Sequence, residues 1–415
     1  MKIIHTSDWH LGARLHEEDR APEHDVFLDW LLDLLSAEKP DALVVAGDVF
    51  DVKAPSSAAQ KQYYGFLAKA VKGGCCGRIV VAAGNHDSAA FLAAPSSLLD
   101  GLGVSVVSGG GADSGDGGTV VVPGKSGVPA LAVAAMPFMY DAELANCGAA
   151  AAGEGSSREE RIAAGWRLRC AAAISAARAG ARGAPVVAAA HCTLAGAELS
   201  DAVSERSRGV IGGIGAFDPA PLAAADYVAL GHLHKPQPVK GFKDTMFYSG
   251  SPLKMGFAET RCAKSVNIVE CGAPGEKPSV RMAPVPPGVP LADLSGTPGA
   301  VDAELAALVL ASAPRVFARI SIDGFDGPSR PHWERFRSTA AGAGIRILEE
   351  RDVRPASGAS GLAELARRGV DSVSPRELAE RKLRASSAHY GEEQMAELMR
   401  MFDAVAAQAA EEAAP

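Results

Sequence analysis

What this 415-residue chain lacks narrows what it can be. No apolar stretch approaches the ~18 residues that a membrane-spanning helix requires. No cysteine pair has C-x-x-C spacing, and the seven cysteines (Cys75, Cys76, Cys147, Cys170, Cys192, Cys262 and Cys271) are odd in number. That fits reduced thiols in a reducing compartment rather than a disulfide framework. No G-x-x-x-x-G-K-[ST] sequence occurs, so the glycine-rich stretch from Gly109 to Gly118 reads as a mobile surface loop and not as a phosphate cradle. No internal repeat is evident. The net charge of -8 excludes holding a polyanion by bulk electrostatics, because phosphate neutralisation needs clustered Lys and Arg. One local exception stands out. Between Lys235 and Lys264, six basic residues (Lys235, Lys240, Lys243, Lys254, Arg261 and Lys264) stand against two acidic ones, Asp244 and Glu259, which makes either a phosphate-binding patch or an ordinary solvated loop.

What is present is the balance of a globular protein, 47% apolar and 22% charged. At this length a core of roughly 250 residues with one or two smaller modules is expected. Lys2 to Ser7 reads as a buried strand, and Phe27, Trp30, Leu31, Leu34 and Leu35 then recur at helical spacing. Ala42 to Ala46 is the next strand. Pro55-Ser56 opens a helix with Tyr63, Phe66, Leu67 and Val71 on one face, and Arg78 to Ala82 is a third strand. Strand and helix alternate, so an α/β fold whose sheet begins parallel is expected. Further strands are predicted at 119–122, 131–135, 186–190, 227–230, 246–249 and 266–269, with a long helix around Arg158 to Arg178. The Ala-rich stretch 142–190 is taken as compositional bias. The Pro/Gly run from Pro284 to Pro290 is the clearest linker. It divides the chain into a core over 1–283, a small α+β module over 284–355 and C-terminal helices over 356–415.

Four short motifs fall where predicted strands end: Asp8-Trp9-His10, Gly47-Asp48-Val49-Phe50-Asp51, Gly84-Asn85-His86-Asp87 and Gly231-His232-Leu233-His234; His191 ends another strand alone. Carboxyl ends of parallel strands meet on one sheet edge, which lets distant residues converge. Residues i and i+2 of an extended segment point to one side, so Asp8 with His10, and His232 with His234, are expected to chelate together. Glycines 47, 84 and 231 are expected to let the backbone turn sharply beside them. Asp8, His10, Asp48, Asn85, His191, His232 and His234 then give four ligands to each of two divalent cations, with the Asp48 carboxylate shared. Oxygen and imidazole donors without thiolate suit manganese, with magnesium, iron and zinc as alternatives. Such a pair lowers the pKa of a bridging water and neutralises charge at phosphorus during in-line attack. His86 is placed to stabilise the transition state or protonate the leaving oxygen, with Asp87 fixing its tautomer. Asp51 either orients a ligand or faces substrate. His5, His16, His24, His332 and His389 lack such context. A cleaved leader would remove Asp8 and His10, so a cytoplasmic location is expected.

In order and spacing these motifs resemble the calcineurin-like metallophosphoesterase superfamily, whose pattern is D-x-H, GD-x-x-D, GNH[DE], H and GH-x-H. The wording around them (His5 to Gly12, Val45 to Asp51, Ala83 to Ser88, Tyr227 to His234) is similar to that of the superfamily's bacterial DNA end-processing nucleases, strongly over about residues 1 to 270. The resemblance implies a two-sheet sandwich flanked by helices, with a capping domain and C-terminal helices. It implies a dimanganese centre, and 3′ to 5′ exonuclease and endonuclease action on DNA ends and hairpins in repair, recombination and replication. It also implies a homodimer, through the helix after Ser56 and one around Ala89 to Leu99, inside a heterotetramer with a coiled-coil ATPase. Met395, Leu398, Phe402 and Val405 step by three, four and three, a narrow seam for a partner helix or for the chain's own packing. Arg206 and Arg208 are candidate DNA contacts.

The rival readings are a phosphodiesterase or phosphatase of the same superfamily acting on a small substrate, and a scaffold that keeps the fold without the chemistry. Protein Ser/Thr phosphatases carry GD-x-x-D-R-G, whereas Val52-Lys53 follow Asp51 here. A scaffold would have shed ligands, and every expected one is present.

Overall fold

The structure is a computed structural model that describes residues 1–109, 118–124, 128–198, 216–311, 315–325, 329–353, 376, 394 and 396–403. In chain order, β1 (Lys2–Thr6) leads through a small hairpin, β2 (Arg14–Leu15) and β3 (Glu18–Asp19), to α1 (Ala21–Glu38), β4 (Ala42–Ala46), α2 (Ser57–Gly73) and β5 (Arg78–Ala82). Two short helices, α3 (Ala89–Ala93) and α4 (Ser96–Gly101), precede β6 (Val104–Val107), β7 (Thr119–Pro123) and β8 (Pro129–Met136). A helical pair, α5 (Asp141–Ala152) and α6 (Arg158–Ala181), leads to β9 (Val186–His191) and β10 (Tyr227–Gly231). Then come β11 (Gln237–Pro238), β12 (Met246–Tyr248), β13 (Ser265–Glu270), β14 (Ser279–Pro284) and β15 (Leu291–Gly296). The last described elements are α7 (Pro298–Leu310), β16 (Val316–Asp323), α8 (Arg330–Gly342) and β17 (Ile345–Val353).

Two six-stranded sheets follow the orders β14-β13-β1-β4-β5-β6 and β11-β12-β10-β9-β8-β7. In the first, β1, β4, β5 and β6 are parallel; in the second, β8, β9, β10 and β12 are parallel. Every residue of β4 and β9 is buried, as expected of parallel strands covered on both faces. Ile3, Val44 and Val80 of one sheet share a core with Val133, Val187, Tyr227 and Ala229 of the other. The opposite face of the first sheet packs on Phe27 and Leu31 of α1 and Tyr63 and Phe66 of α2, and that of the second on Trp166, Cys170 and Ala177 of α6. The result is the expected two-sheet sandwich flanked by helices.

Local signals account for the helix ends. The Ser56 side chain accepts from the Ala59 amide at the start of α2, and Gly74 closes it with φ 56°. Ser157 and Glu160 cap α6 reciprocally. The Ala/Gly bias of this region has a structural cause: a Cβ on Gly148 of α5 would lie 1.9 Å from the Arg161 carbonyl oxygen, and one on Gly165 of α6 2.0 Å from that of Leu144. The two helices therefore pack backbone to backbone. Several elements had no clear signal in the sequence, among them the short β2, β3 and β11, and β15 and α7 beyond the Pro/Gly run. Helix α5 lay in the stretch read as bias, β6 has four residues, and β14 is mostly exposed. The single helix expected around Ala89 to Leu99 is two, because Pro95 sits between them as the N-cap of α4.

The chain divides into two compact units. The first comprises Met1–Asp293, Ala313–Arg319 and Gly344–Leu348, the second Leu294–Ser312, Ile320–Ala343 and Glu349–Pro415. Strands β15, β16 and β17 form a separate sheet in that order. Within the second unit Val301 and Leu305 of α7 and Phe336 and Ala340 of α8 are buried, and Arg335 forks onto the Asp302 carboxylate at 3.1 and 2.5 Å. Most of the glycine-rich loop, Arg206, Arg208, Met395 and Val405 lie outside the described residues; Leu398 and Phe402 are half-buried in a helical segment. All seven cysteines are free thiols. Among the described residues no helix is long and apolar enough to cross a membrane.

Candidate metal centre

Strands β1, β4 and β5 of one sheet and β9 and β10 of the other deliver all seven expected ligands to one edge of the sandwich. Ligand atoms of Asp8, His10 and His234 lie within 4.8 Å of one another, as do those of Asp8, Asp48 and His191, and those of His10, Asp48 and His86. Asp48 Oδ2 is 3.7 Å from His10 Nε2 and 3.3 Å from His191 Nε2, so it stands between two histidine groups. Asn85 Oδ1 is 2.9 Å from both His191 Nε2 and His232 Nδ1. His10 Nε2 is 3.2 Å from His234 Nε2.

The convergence does not come from extended backbone. Asp8, His10, Asp48 and His232 all have positive φ, at 53°, 47°, 52° and 93°, so each turns its side chain inward from a left-handed residue. Asp8 and His10 thus meet through tightly turned backbone and not, as expected, from the same side of an extended segment. All three motif glycines are required by space: a Cβ would meet His191 Nδ1 at 2.1 Å on Gly47, Asp48 Oδ1 at 2.1 Å on Gly84 and the Ala46 carbonyl oxygen at 1.9 Å on Gly231, and Gly47 alone also needs a positive φ, +93°.

Backbone bonds lock these turns. The Asp8 amide donates to the Gly47 carbonyl (2.9 Å) and the His10 amide to that of Asp48 (3.0 Å). The His232 amide donates to Asp8 Oδ1 (2.9 Å) and the His86 amide to Asp48 Oδ1 (2.9 Å). Ser7 donates to Asp8 Oδ2 (2.5 Å) and bonds Ser249 (2.8 Å). Asp87 differs from expectation. Its oxygens accept from the amides of Val49 (3.1 Å), Phe50 (3.0 Å) and Gly84 (2.8 Å), tying one motif loop to the next. The His86 ring is fixed instead by the Asp51 carbonyl, 2.8 Å from Nδ1, while the Asp51 carboxylate lies 3.4 Å from His10 Nδ1.

The arrangement fits cations. His191 Nδ1 lies 2.8 Å from the Ala46 carbonyl, to which it donates, and His234 Nδ1 lies 3.2 Å from the Glu259 carboxylate. In the neutral tautomers with the proton on Nδ1, His191 Nε2 turns its lone pair toward Asp48 Oδ2 and Asn85 Oδ1 and His234 Nε2 turns its own toward His10 Nε2, so positive charge, from protons or from bound cations, is needed among them. Burial lowers the His191 pKa, but Asp48 and Asp8 overcome it and push the ring up to about 9. Burial and the neighbouring His191 instead hold His232 down near 4. Burial and the Asp48 charge both raise Asp87, against its three amide donors.

The family model for calcineurin-like phosphoesterases matches residues 1–127. Over 315 residues the chain is 34% identical to the D subunit of the nuclease SbcCD of Escherichia coli (strain K12), covering 74% of this chain and 73% of that one. It is 38% identical over 299 residues to the protein of the same name from Rhodobacter capsulatus, covering 70% and 71%. This chain belongs to the SbcD nuclease family. A third relative of that name, from Bacillus subtilis (strain 168), is 34% identical over 292 residues. As a member of the SbcD family the chain is a metal-dependent phosphodiesterase.

Sequence reasoning missed several residues that support this SbcD-type site. Ser7 and Ser249 brace Asp8, and Phe138 stands beside His191 and His232 with ring centroids 6.3 and 6.2 Å away. Glu259 and Lys264 were counted only as charges in the 235–264 segment. That segment is less basic at the surface than its composition: Lys264 is buried against Glu259 at 2.7 Å, Lys235 pairs with Glu198, and Lys254 bonds the Thr260 carbonyl. Lys240, Lys243 and Arg261 remain exposed.

Proposed function

We propose that this chain is a DNA nuclease working with two divalent cations, manganese by preference. One ion would be held by Asp8, His10, Asp48 and His234, the other by Asp48, Asn85, His191 and His232. The observation that carries the reading is Asp48 Oδ2 lying 3.7 and 3.3 Å from nitrogens of two histidines that belong to separate groups, the position of a shared ligand. When bound, such a pair supplies Lewis acidity, which lowers the pKa of water and neutralises charge on a phosphate ester. The protein's residues supply the rest. Asp87 keeps the two motif loops in register. His86 Nδ1 donates to the Asp51 carbonyl, which leaves Nε2 facing the site; in the imidazolium form the Nε2 proton stabilises the phosphate or passes to the leaving oxygen, leaving the ring neutral with its proton on Nδ1.

DNA ends and hairpins are the proposed substrates, cut by 3′ to 5′ exonuclease and endonuclease action. The relatives' shared name, which makes each of them one subunit of SbcCD, supports a partner chain, proposed here as a coiled-coil ATPase docking on residues 356–415, with 284–355 as the capping module. A homodimer through α2, α3 and α4 is supported by Leu98 and Leu102, 69% and 50% exposed, and the whole would operate in the cytoplasm. The test is one assay: purified protein and manganese with a DNA hairpin or a cyclic nucleotide, with and without the ATPase and ATP. Metal-dependent hairpin cleavage that the ATPase accelerates is expected. Preferential turnover of the cyclic nucleotide overturns the substrate, and indifference to the ATPase overturns the partner.

A further inference from the structure

We propose that Glu259 and Lys264 are a buried positioning pair that fixes the tautomer and place of His234, and thereby sets the affinity of one cation position but not the other. The inference rests on the two-cation reading above and assigns a role that the ligand motifs do not contain. Glu259 is 4% and Lys264 9% exposed. Glu259 Oε2 accepts from the Met255 amide at 3.0 Å and from Lys264 Nζ at 2.7 Å. Its other oxygen, Oε1, lies 3.2 Å from His234 Nδ1. Lys264 Nζ also donates to the His234 carbonyl at 2.8 Å and to Ser251 Oγ at 2.9 Å. An ammonium has three donors, and here each has an acceptor.

The pair thus grips His234 at both ends, the ring through Glu259 and the backbone through Lys264. The chemical consequence lies in the tautomer. A neutral imidazole has one N–H; with the Glu259 carboxylate at Nδ1 the proton stays there, and Nε2 turns its lone pair toward His10 Nε2, 3.2 Å away. Without the carboxylate, the proton is free to occupy Nε2 and point into the cation position. A purely stabilising role explains the arrangement less well, because a buried ion pair is often no better than apolar side chains of the same volume. An apolar pair would pack equally and leave Nδ1 without its acceptor.

The measurement is manganese binding by calorimetry on the purified full chain, with metal-bound electron paramagnetic resonance as the second readout. Wild type is expected to bind two ions. Glu259→Gln, close to isosteric, and Glu259→Ala are each expected to weaken one ion by ~10-fold or more while leaving the other at wild-type affinity. That one-sided loss is what a general effect on stability would not produce. Thermal melting identifies a variant that fails to fold, and Glu259→Gln then decides. Two ions bound by wild type and by folded Glu259→Gln with equal affinities overturn the pairing role and leave the two-cation reading standing. Failure of wild type to bind two ions overturns both. Equal weakening of the two sites also overturns the inference, since it assigns Glu259 to His234 alone.

Discussion

Replacing Gly84 by alanine tests whether crowding around Asp48, rather than backbone freedom, is what the second glycine of the site provides. A Cβ there would lie 2.1 Å from Asp48 Oδ1, 2.3 Å from its amide nitrogen and 2.7 Å from Cγ. Ordinary contact between such atoms begins near ~3.5 Å, so about 1.4 Å of movement must be found. Asp48 has little room to yield, because its carbonyl accepts from His10 at 3.0 Å and its Oδ1 from His86 at 2.9 Å. Overpacking of this kind costs about 1–3 kcal/mol of stability. Misplacing a reacting group by about 1 Å costs on the order of 10²-fold in rate. The assay is hairpin cleavage at saturating manganese, run beside a thermal melt at a temperature where the variant is folded. Gly65→Ala is the control: it lies in α2 with nothing within 4 Å of the added carbon, and should keep full activity and gain about 0.5–1 kcal/mol. Gly84→Ala protein cleaving within threefold of wild type would refute the crowding account.

Asp48→Ala should bind fewer than two manganese ions and lose activity by more than ~10³-fold, as measured by metal content after gel filtration and by hairpin cleavage. His86→Ala should retain two ions yet lose about 10²–10⁴-fold in rate; loss of an ion would move His86 into the metal shell, which its closeness to His10 and Asp48 also allows. Acid should weaken the fold through two buried histidines: burial holds His5 near 3, and burial together with Arg20 holds His24 near 4. Both pKa values lie below the unfolded ~6.5, so their stabilisation is full above that pH and declines as pH falls toward the folded values, by about 2 kcal/mol each at pH 5. The drop in urea midpoint between pH 7.5 and 5, at saturating manganese, should therefore shrink in a His5→Gln, His24→Gln protein; an unchanged drop would contradict this.

How much of this could be read in advance follows from which interactions are periodic or local. Strands β1, β4, β5, β9 and β10 announce themselves as short apolar runs because both faces are covered, and their carboxyl ends must then carry the ligands to one edge. The left-handed backbone of Asp8, His10, Asp48 and His232 was not legible, since aspartate tolerates that conformation and histidine gives no signal for it. Gly84 and Gly231 looked like turn residues because a sequence cannot distinguish a glycine needed for φ from one needed for space. Lys264 looked like a solvent charge for a similar reason: counting charges does not say which of them is buried. Glu259 lies 25 residues beyond His234, in a segment with no period, and becomes visible only when Met255, Ser251 and Lys264 close around it.

The backbone strain and the missed supporting residues belong together. Left-handed residues other than glycine cost roughly 1 kcal/mol or more each, and four of the seven in the described chain are proposed ligands. They persist because neighbouring chain segments over-determine them: the amides of Asp8 and His10 bond the Gly47 and Asp48 carbonyls, and the His232 amide bonds the Asp8 carboxylate. Each of these bonds joins one ligand motif to another, so no motif could hold its geometry alone. Asp87 extends the same scheme, with its carboxylate linking the Asp48 loop to Gly84 through three amides. The proposed centre therefore depends on backbone bonds between the motifs and on Asp87 as much as on the ligand side chains, and a chain that kept the seven proposed ligands while losing this cross-bracing would keep the motif pattern without the site.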